Sequence, residues 1–394
     1  MKVLIADKFP DLYLKKLQEL GLDVVYNPKM GEEDIANNSK DFNIIIVRST
    51  KVNAKVIENS TNLNLIIRAG AGVDNIDIQA ANKKGIYVAN CPGKNSIAVA
   101  ELTIGLMLSL DRRIPDNVAD FHKGIWNKEE YSKANGLFGR NLALIGVGNI
   151  GKEVAKRALA LGMNVFGKDI SRIEGVPIKD FSEMDKVLPI ADVISIHLPL
   201  TPQTRGLFNK QMFDCVKPGA IFINTSRAEI VEEDALIEAI KTKNLKVGLD
   251  VISEEPEAKK CEFKSKLQGL PNVYVTHHIG ASTEQAQLAV AEETYNIVKT
   301  FLQSGLIANW VNRGTIPETK YQLTFKYNDR PGVLSAVFNI LREEDVNIED
   351  LENQVFDGGL VACCSMKFKK DLSHNIIEQI KLMPNILSVS FVQI

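Results

Sequence analysis

The segment that constrains the fold most is Gly146-Val147-Gly148-Asn149-Ile150-Gly151. It follows the apolar run Asn141–Ile145 directly and opens a helical pattern. A lone G-x-G-x-x-G says little. This one stands between a strand and a helix, and Asp169 lies 21 residues after Gly148, near the spacing of the acid that holds a ribose hydroxyl in dinucleotide sites. The physical roles are distinct. Gly146 allows a tight turn, Gly148 lets the backbone approach a pyrophosphate, and Gly151 lets the helix pack on the strand. The helix N-terminus then faces the phosphates. Asp169 favours NAD over NADP, because a carboxylate repels a 2′-phosphate, whereas nearby Arg172 is a residue that could accept one.

The rest of the chain fits an α/β protein around that motif. Short runs rich in Val and Ile alternate with helical patterns from the first residues: strands at 2–6, 23–26, 43–47, 63–67 and 86–89, with a helix at 12–20. A second set runs through 141–145, 163–166, 193–196, 220–223, 247–250 and 273–276. This alternation predicts parallel sheets with helical crossovers, the second one a doubly wound domain of about 180 residues. The run Ile97–Leu110 is apolar on nearly all faces, which suits either deep core or a subunit interface. From about Lys320 the order becomes βαββαβ, with a hairpin at Asp357-Gly358-Gly359. Gly314 and Pro317 mark the boundary.

Composition excludes several classes. Across 394 residues, 47 basic and 49 acidic side chains leave a net charge of −2, which argues against nucleic-acid binding by bulk charge. Hydrophobic residues at 45% and charged residues at 24% are globular values. No stretch is long and apolar enough for a membrane span, and no signal-peptide core follows Met1. Five cysteines without C-x-x-C spacing predict neither a disulfide framework nor a metal site, and point to a reducing cytoplasm.

Three polar positions follow successive strands of the second set, at the edge where open α/β sheets bind ligands: Arg227, Glu255 and the pair His277-His278. Each alone is commonplace. Together, after a dinucleotide motif, they suit dehydrogenation of a 2-hydroxy acid. A histidine takes the hydroxyl proton, Glu255 fixes its tautomer, and Arg227 grips a carboxylate with parallel hydrogen bonds. The residues themselves leave both histidines open as the base. Two other glycine segments are decoys. Gly70-Ala71-Gly72 follows a strand but has Asn75 where a third glycine belongs, and reads as close backbone packing near a ligand. Gly93-Lys94 is no P-loop, because Val88 stands where the first glycine is required.

The chain resembles the D-isomer-specific 2-hydroxyacid dehydrogenase family. The resemblance is carried by Arg48-Ser49-Thr50-Lys51, the segment Arg68 to Asn75, Gly146 to Gly151, His197-Leu198-Pro199-Leu200-Thr201, Asn224-Thr225-Ser226-Arg227, Gly248-Leu249-Asp250-Val251, Glu255-Pro256 and His278-Ile279-Gly280. It spans nearly all of residues 1–315. The tail resembles an ACT domain through Asp329-Arg330-Pro331-Gly332-Val333-Leu334. The resemblance implies a flavodoxin-like substrate domain at 1–98 and 281–314, a Rossmann NAD domain at 99–280, and an ACT regulatory domain at 320–394. It implies catalytic Arg227, Glu255 and His278, with Asp250 orienting the nicotinamide carboxamide. Asn149, Ile150, Thr225, Ser226 and Gly280 would line the cofactor, and Arg48 and Arg68 the substrate. His277 replaces the proline usual before the catalytic histidine.

The activity implied is NAD-dependent oxidation of 3-phosphoglycerate to 3-phosphohydroxypyruvate, the entry to serine synthesis. The alternatives are a sister enzyme for glycerate, glyoxylate or 2-hydroxyglutarate, or a non-catalytic NAD-sensing scaffold. A homodimer or homotetramer is expected, with Ile97–Leu110 leaning towards the interface. In serine-inhibited relatives an Asn after the first ACT helix grips serine, and Asn347 matches it. Tyr327 and Asp329 replace a His and an Asn of the first ACT loop, and Asp329 would repel a serine carboxylate.

Overall fold

Strand β3 (Ile44–Val47) is Ile-Ile-Ile-Val and buried along its whole length, the mark of a strand covered on both faces. It sits at the centre of a parallel sheet with β1 (Lys2–Ile5), β2 (Asp23–Tyr26), β4 (Leu65–Arg68) and β5 (Tyr87–Asn90). The order β2-β1-β3-β4-β5 is flavodoxin-like. Alternate side chains feed two layers: Val3, Ile5, Ile44 and Ile46 on one side, Leu4, Ile45 and Ile66 on the other. The structure is a computed structural model and describes residues 1–169, 173–181, 183–256, 260–314 and 318–394, so Arg172 and Pro317 lie outside the described residues.

A helix from far along the chain, Glu284–Ser304, completes the first layer by burying Ala291, Ile297 and Val298 in it. Burying Ile297 and Val298 stabilises by roughly 1.5–3 kcal/mol each. The chain then runs beside β5, where Val311 N donates to Val88 O at 2.8 Å.

The second sheet contains β6 (Asn141–Ile145), β7 (Asn164–Lys168), β8 (Lys179–Asp180), β9 (Val193–Ile196), β10 (Ile221–Asn224), β11 (Lys246–Leu249) and β12 (Val273–Val275). Its order, β12-β11-β10-β9-β6-β7-β8, is that of a Rossmann sheet. The sequence pattern predicts six of these strands. It misses β8, a two-residue exposed edge strand that has no apolar alternation to signal it. The helix Ser96–Arg112 packs under this sheet. Leu106 and Leu110 lie close to Gly248, where a Cβ would stand 3.2 and 3.1 Å from them. The apolar run is therefore largely core. Ile97 at its start is 56% exposed, and larger exposed apolar side chains follow it: Phe121, Trp126 and Phe138 are 63%, 82% and 88% exposed.

Residues Met1–Asn312 form one compact unit and Arg313–Ile394 another. The second is a four-stranded antiparallel sheet of β13 (Tyr321–Asn328), β14 (Asp350–Val355), β15 (Val361–Phe368) and β16 (Ile386–Gln393), in the order β14-β15-β13-β16. Helices Val333–Glu343 and His374–Lys381 bury Val337, Leu341, Ile376 and Ile380 against one face, giving βαββαβ. Gly358 and Gly359, at φ +88° and +71°, make the β14–β15 turn. Among the described residues, no helix is long and apolar enough to cross a membrane.

Candidate active site

The glycine motif forms the turn from β6 into helix Asn149–Ala160. Gly146 has φ +94°, and a Cβ there would come within 2.6 Å of the His197 carbonyl oxygen. A Cβ on Gly151 would come within 2.3 Å of the Gly146 carbonyl oxygen, so only glycine lets this helix pack so close. Gly148 differs: no protein atom lies within 4 Å of the place its Cβ would take. The helix begins there with no side chain capping it, so the N–H groups of Asn149, Ile150 and Gly151 open its first turn towards that space. At the end of β7, the Asp169 carboxylate accepts the Val147 N–H at 2.6 Å. Open backbone, uncapped amides and a carboxylate fit the pyrophosphate and ribose of a dinucleotide.

Around this loop the sheet edge is held by its own polar groups. Thr225 and Ser226 are buried, and the Ser226 hydroxyl donates to Ile196 O at 2.7 Å. Asn224 ties the same turn, donating to Arg227 O and accepting from Ser226 N. His197 is buried with Nε2 2.9 Å from the Ser195 hydroxyl, and burial pushes its pKa down to about 3, so the ring is neutral.

Beyond the loop lies a cleft of about 850 Å³, lined by residues from both parallel sheets. Asp250 braces one wall. Its carboxylate is buried and accepts from the Thr276 hydroxyl (2.6 Å), Ile279 N (2.9 Å) and Gly280 N (2.7 Å). Those bonds hold a turn in which His278 has φ +52°, and the His278 N–H donates to Asp250 O at 2.9 Å. The imidazole Nδ1 is 2.8 Å from Glu255 Oε2. A carboxylate can only accept here, so Nδ1 carries a proton, and in the neutral ring the lone pair is on Nε2. His277 lines the same cleft, but the histidine that Glu255 holds is His278.

The other wall carries cations on a built frame. Asp7, at the end of β1, accepts the N–H groups of Arg48, Ser49 and Thr50 at 2.7, 3.0 and 3.0 Å, and the Ser49 hydroxyl at 2.9 Å. Burial raises the Asp7 carboxyl, but those four donors outweigh it and its pKa falls below the ordinary value. Arg68 Nε in turn donates to Arg48 O at 3.1 Å. Burial, then the Arg227 and Arg48 charges, lower the Arg68 guanidinium to about 10.

The Gly70-Ala71-Gly72 loop meets the same cleft at Gly70. Its close packing is against the protein's own arginines. A Cβ on Gly70 would fall 1.8 Å from Arg68 Nη1, and one on Gly72 would fall 2.0 Å from Arg227 Nη2. Lys94, from the other decoy, pairs with Glu293 at 3.0 Å.

Cleft residues that escape the sequence reading include Lys8, Lys260 and Asn95. Asn95 lines the cavity, and its Oδ1 is buried without a hydrogen-bond partner. An Asn immediately before a helix reads as a cap, yet its side chain makes no cap bond. In the C-terminal unit, exposed Asn347 donates to Glu349 Oε1 at 3.2 Å, while buried Tyr327 donates to Asn353 Oδ1 at 3.0 Å.

The family described as D-isomer specific 2-hydroxyacid dehydrogenase, NAD binding domain, matches residues 104–280. D-3-phosphoglycerate dehydrogenase of Methanocaldococcus jannaschii is 39% identical over 328 residues, 81% of this chain, and the chain spans 61% of that relative's length. The Dictyostelium discoideum enzyme of the same name is 32% identical over 387 residues, covering 95% of this chain and 94% of the relative. The solved structure of NAD+-bound 3-phosphoglycerate dehydrogenase from Entamoeba histolytica superposes with a TM-score of 0.68 at 28% identity, over 80% of this chain and 99% of that one. With its NAD-binding domain matched and a relative aligned almost end to end, the chain belongs to the D-isomer-specific 2-hydroxyacid dehydrogenase family.

Proposed function

We propose that the chain oxidises 3-phospho-D-glycerate to 3-phosphohydroxypyruvate with NAD, the step that opens L-serine synthesis. The observation that carries this reading is the Glu255–His278 pair at 2.8 Å beside a cleft rich in cations. Arg48, Arg68, Lys8 and Lys260 all line that cleft. Its carboxylates are engaged within the protein: Asp7 by the 48–50 turn, Asp250 by the 276–280 turn and Glu255 by His278. Such a cleft suits an acid carrying a second anionic group. The relatives bearing the phosphoglycerate dehydrogenase name support the same substrate.

NAD, when bound, would supply the hydride acceptor for C2 of the substrate. The remaining work falls to side chains. His278 Nε2 takes the hydroxyl proton. Glu255 holds the ring through Nδ1 and stabilises the imidazolium that forms. Arg227 holds the substrate carboxylate, and Arg48 and Arg68 its anionic groups. On the cofactor side we assign Gly146, Gly148, Asn149, Ile150, Gly151, Thr225, Ser226 and Gly280 to the binding surface. Asp169 takes the ribose hydroxyls, which favours NAD over NADP. Asp250 orients the carboxamide while bracing the turn of His278.

Residues 1–98 with 281–314 form the substrate domain and 99–280 the cofactor domain. Residues 320–394 are an ACT regulatory domain, which the βαββαβ order supports. The apolar side chains of Phe121, Trp126 and Phe138 suit a homodimer or homotetramer contact, more than the Ile97–Leu110 run itself. An amino-acid effector at the ACT domain, with Asn347 as a contact, completes the proposal.

The test is NADH production from NAD+ and 3-phosphoglycerate with the keto product trapped, repeated with glycerate and 2-hydroxyglutarate and with added serine. Turnover selective for 3-phosphoglycerate supports the reading, and selectivity for another acid replaces the substrate. NAD binding without turnover of any acid points to a sensing scaffold. Substituting His278→Gln should lower kcat by about 10²–10⁴-fold with little change in NADH affinity.

A further inference from the structure

We infer that Asp74 is a positioning residue for the reaction, fixing the Arg227 guanidinium so that one pair of its N–H groups faces the substrate carboxylate. The inference rests on the reading of Arg227 as the carboxylate anchor.

Arg227 follows β10 of the second sheet, and Asp74 lies in the loop after β4 of the first. Across that gap, Arg227 Nε donates to Asp74 Oδ2 at 2.8 Å, and Nη2 stands 2.7 Å from the same oxygen as an ion pair. Nη1 donates to Ser226 O at 2.7 Å. A guanidinium has five N–H donors. Two are spent in hydrogen bonds here, which leaves one on Nη1 and two on Nη2. One from each suffices for the parallel bonds a carboxylate takes. Asp74 therefore does not block the fork that a substrate needs. It occupies the Nε/Nη2 edge and sets the plane of the group.

Two further observations make this a built pair. Gly72 makes room for both partners, since a Cβ there would stand 2.0 Å from Arg227 Nη2 and 3.0 Å from Asp74 Oδ2. Asp74 also answers a crowding of like charge. Arg227 and Arg48 both act on Arg68, and Asp74 is the carboxylate that offsets them there. Without it, repulsion from Arg68 favours Arg227 turning away towards solvent, where its side chain is already 28% exposed. A long flexible side chain needs such a partner to hold one orientation.

The experiment measures steady-state rates for Asp74→Ala and Asp74→Asn against the unmodified chain, varying 3-phosphoglycerate and NAD+ separately. Asp74→Ala should raise KM for the acid by about 10-fold or more, while KM for NAD+ moves by less than about 2-fold. Asp74→Asn keeps an acceptor oxygen and should recover part of the loss. In an Arg227→Lys background, Asp74→Ala should cost less than about 2-fold further, because the residue acts through the guanidinium. An unchanged KM for the acid, an equal rise in both KM values, or an equal loss in both backgrounds overturns the inference. If the unmodified chain oxidises no hydroxy acid, the functional reading fails on its own. The same variants are then titrated with oxalate in the presence of NADH. Weaker oxalate binding in Asp74→Ala, absent in the Arg227→Lys background, supports Asp74, and unchanged binding overturns it.

Discussion

Two glycine loops follow parallel strands in this chain, and they do opposite things with the room glycine leaves. After β6, Gly148 faces open space in front of an uncapped helix. After β4, the space beside Gly70 and Gly72 is filled by the guanidiniums of Arg68 and Arg227. A missing Cβ lets something approach the backbone, whether a ligand or the protein's own side chain. What separates the two is the element that follows. The loop after β6 runs into a twelve-residue helix whose first amides call for an anion. The loop after β4 leads first into Asp74 and the bridge between Val52 and Ile76, and the next helix begins only at Ile78.

Adding a methyl group to each loop should therefore break different functions. With Gly72→Ala the Arg227 guanidinium must move, and kcat/KM for the acid should fall by about 100-fold with NADH affinity unchanged. With Gly148→Ala the new Cβ meets no protein atom, so thermal stability should hold while NADH binding weakens by about 10-fold or more. Fluorescence titration with NADH and steady-state kinetics on both variants check this. A loss of NADH affinity in Gly72→Ala would collapse the comparison.

The supports beneath the two loops also differ in charge, and pH sharpens the contrast. Under the arginine wall, Asp7 holds three backbone N–H groups as a carboxylate. Asp7→Asn should cost about 2 kcal/mol of unfolding free energy at pH 7, measured by denaturant titration. Because the folded pKa lies below the ordinary 3.8, this stabilisation is fully present above that value and is lost as pH falls through the lower folded one. The gap between the two proteins should thus stay constant above about pH 5 and narrow below pH 4.

Beside the cofactor loop the buried group is an imidazole, whose pKa burial lowers from 6.5 to about 3. Its contribution is present above pH 6.5 and is lost as pH falls towards 3. The expected slope is at most about 1.4 kcal/mol per pH unit. Replacing His197→Gln should flatten the stability profile between pH 6.5 and 5 and leave the steeper acid limb. If both limbs survive both substitutions, neither group supports its loop in the way described.

Much of this architecture is legible before any coordinates. Fully apolar runs such as Ile44–Val47 announce buried parallel strands, because both faces are covered. The Gly146–Gly151 motif is legible because turn, pyrophosphate approach and helix packing each demand glycine at fixed spacing. Other features are silent for physical reasons. The edge strand β8 is two polar residues, with no pattern to read. Helix Glu284–Ser304 carries an ordinary amphipathic pattern, and periodicity gives no address for the face it covers. Asn95 looks like a helix cap until its side chain is seen to make no cap bond.

By itself the sequence determined what depends on neighbours along the chain: strand and helix alternation, the cofactor turn, the hairpin at Gly358-Gly359, and the residue types present at the sheet edges. Only the tertiary structure decided which of those residues meet. Glu255 reaches His278 across 23 positions, Asp7 holds a turn 41 positions away, and Arg227 meets Asp74 across 153. The first two depend on which strands lie side by side in one sheet, and the third on how two separate sheets set their edges together. Local propensities act over a few residues and do not encode that placement. It is fixed when the two cores, each buried for its own hydrophobic reasons, bring their polar ends together.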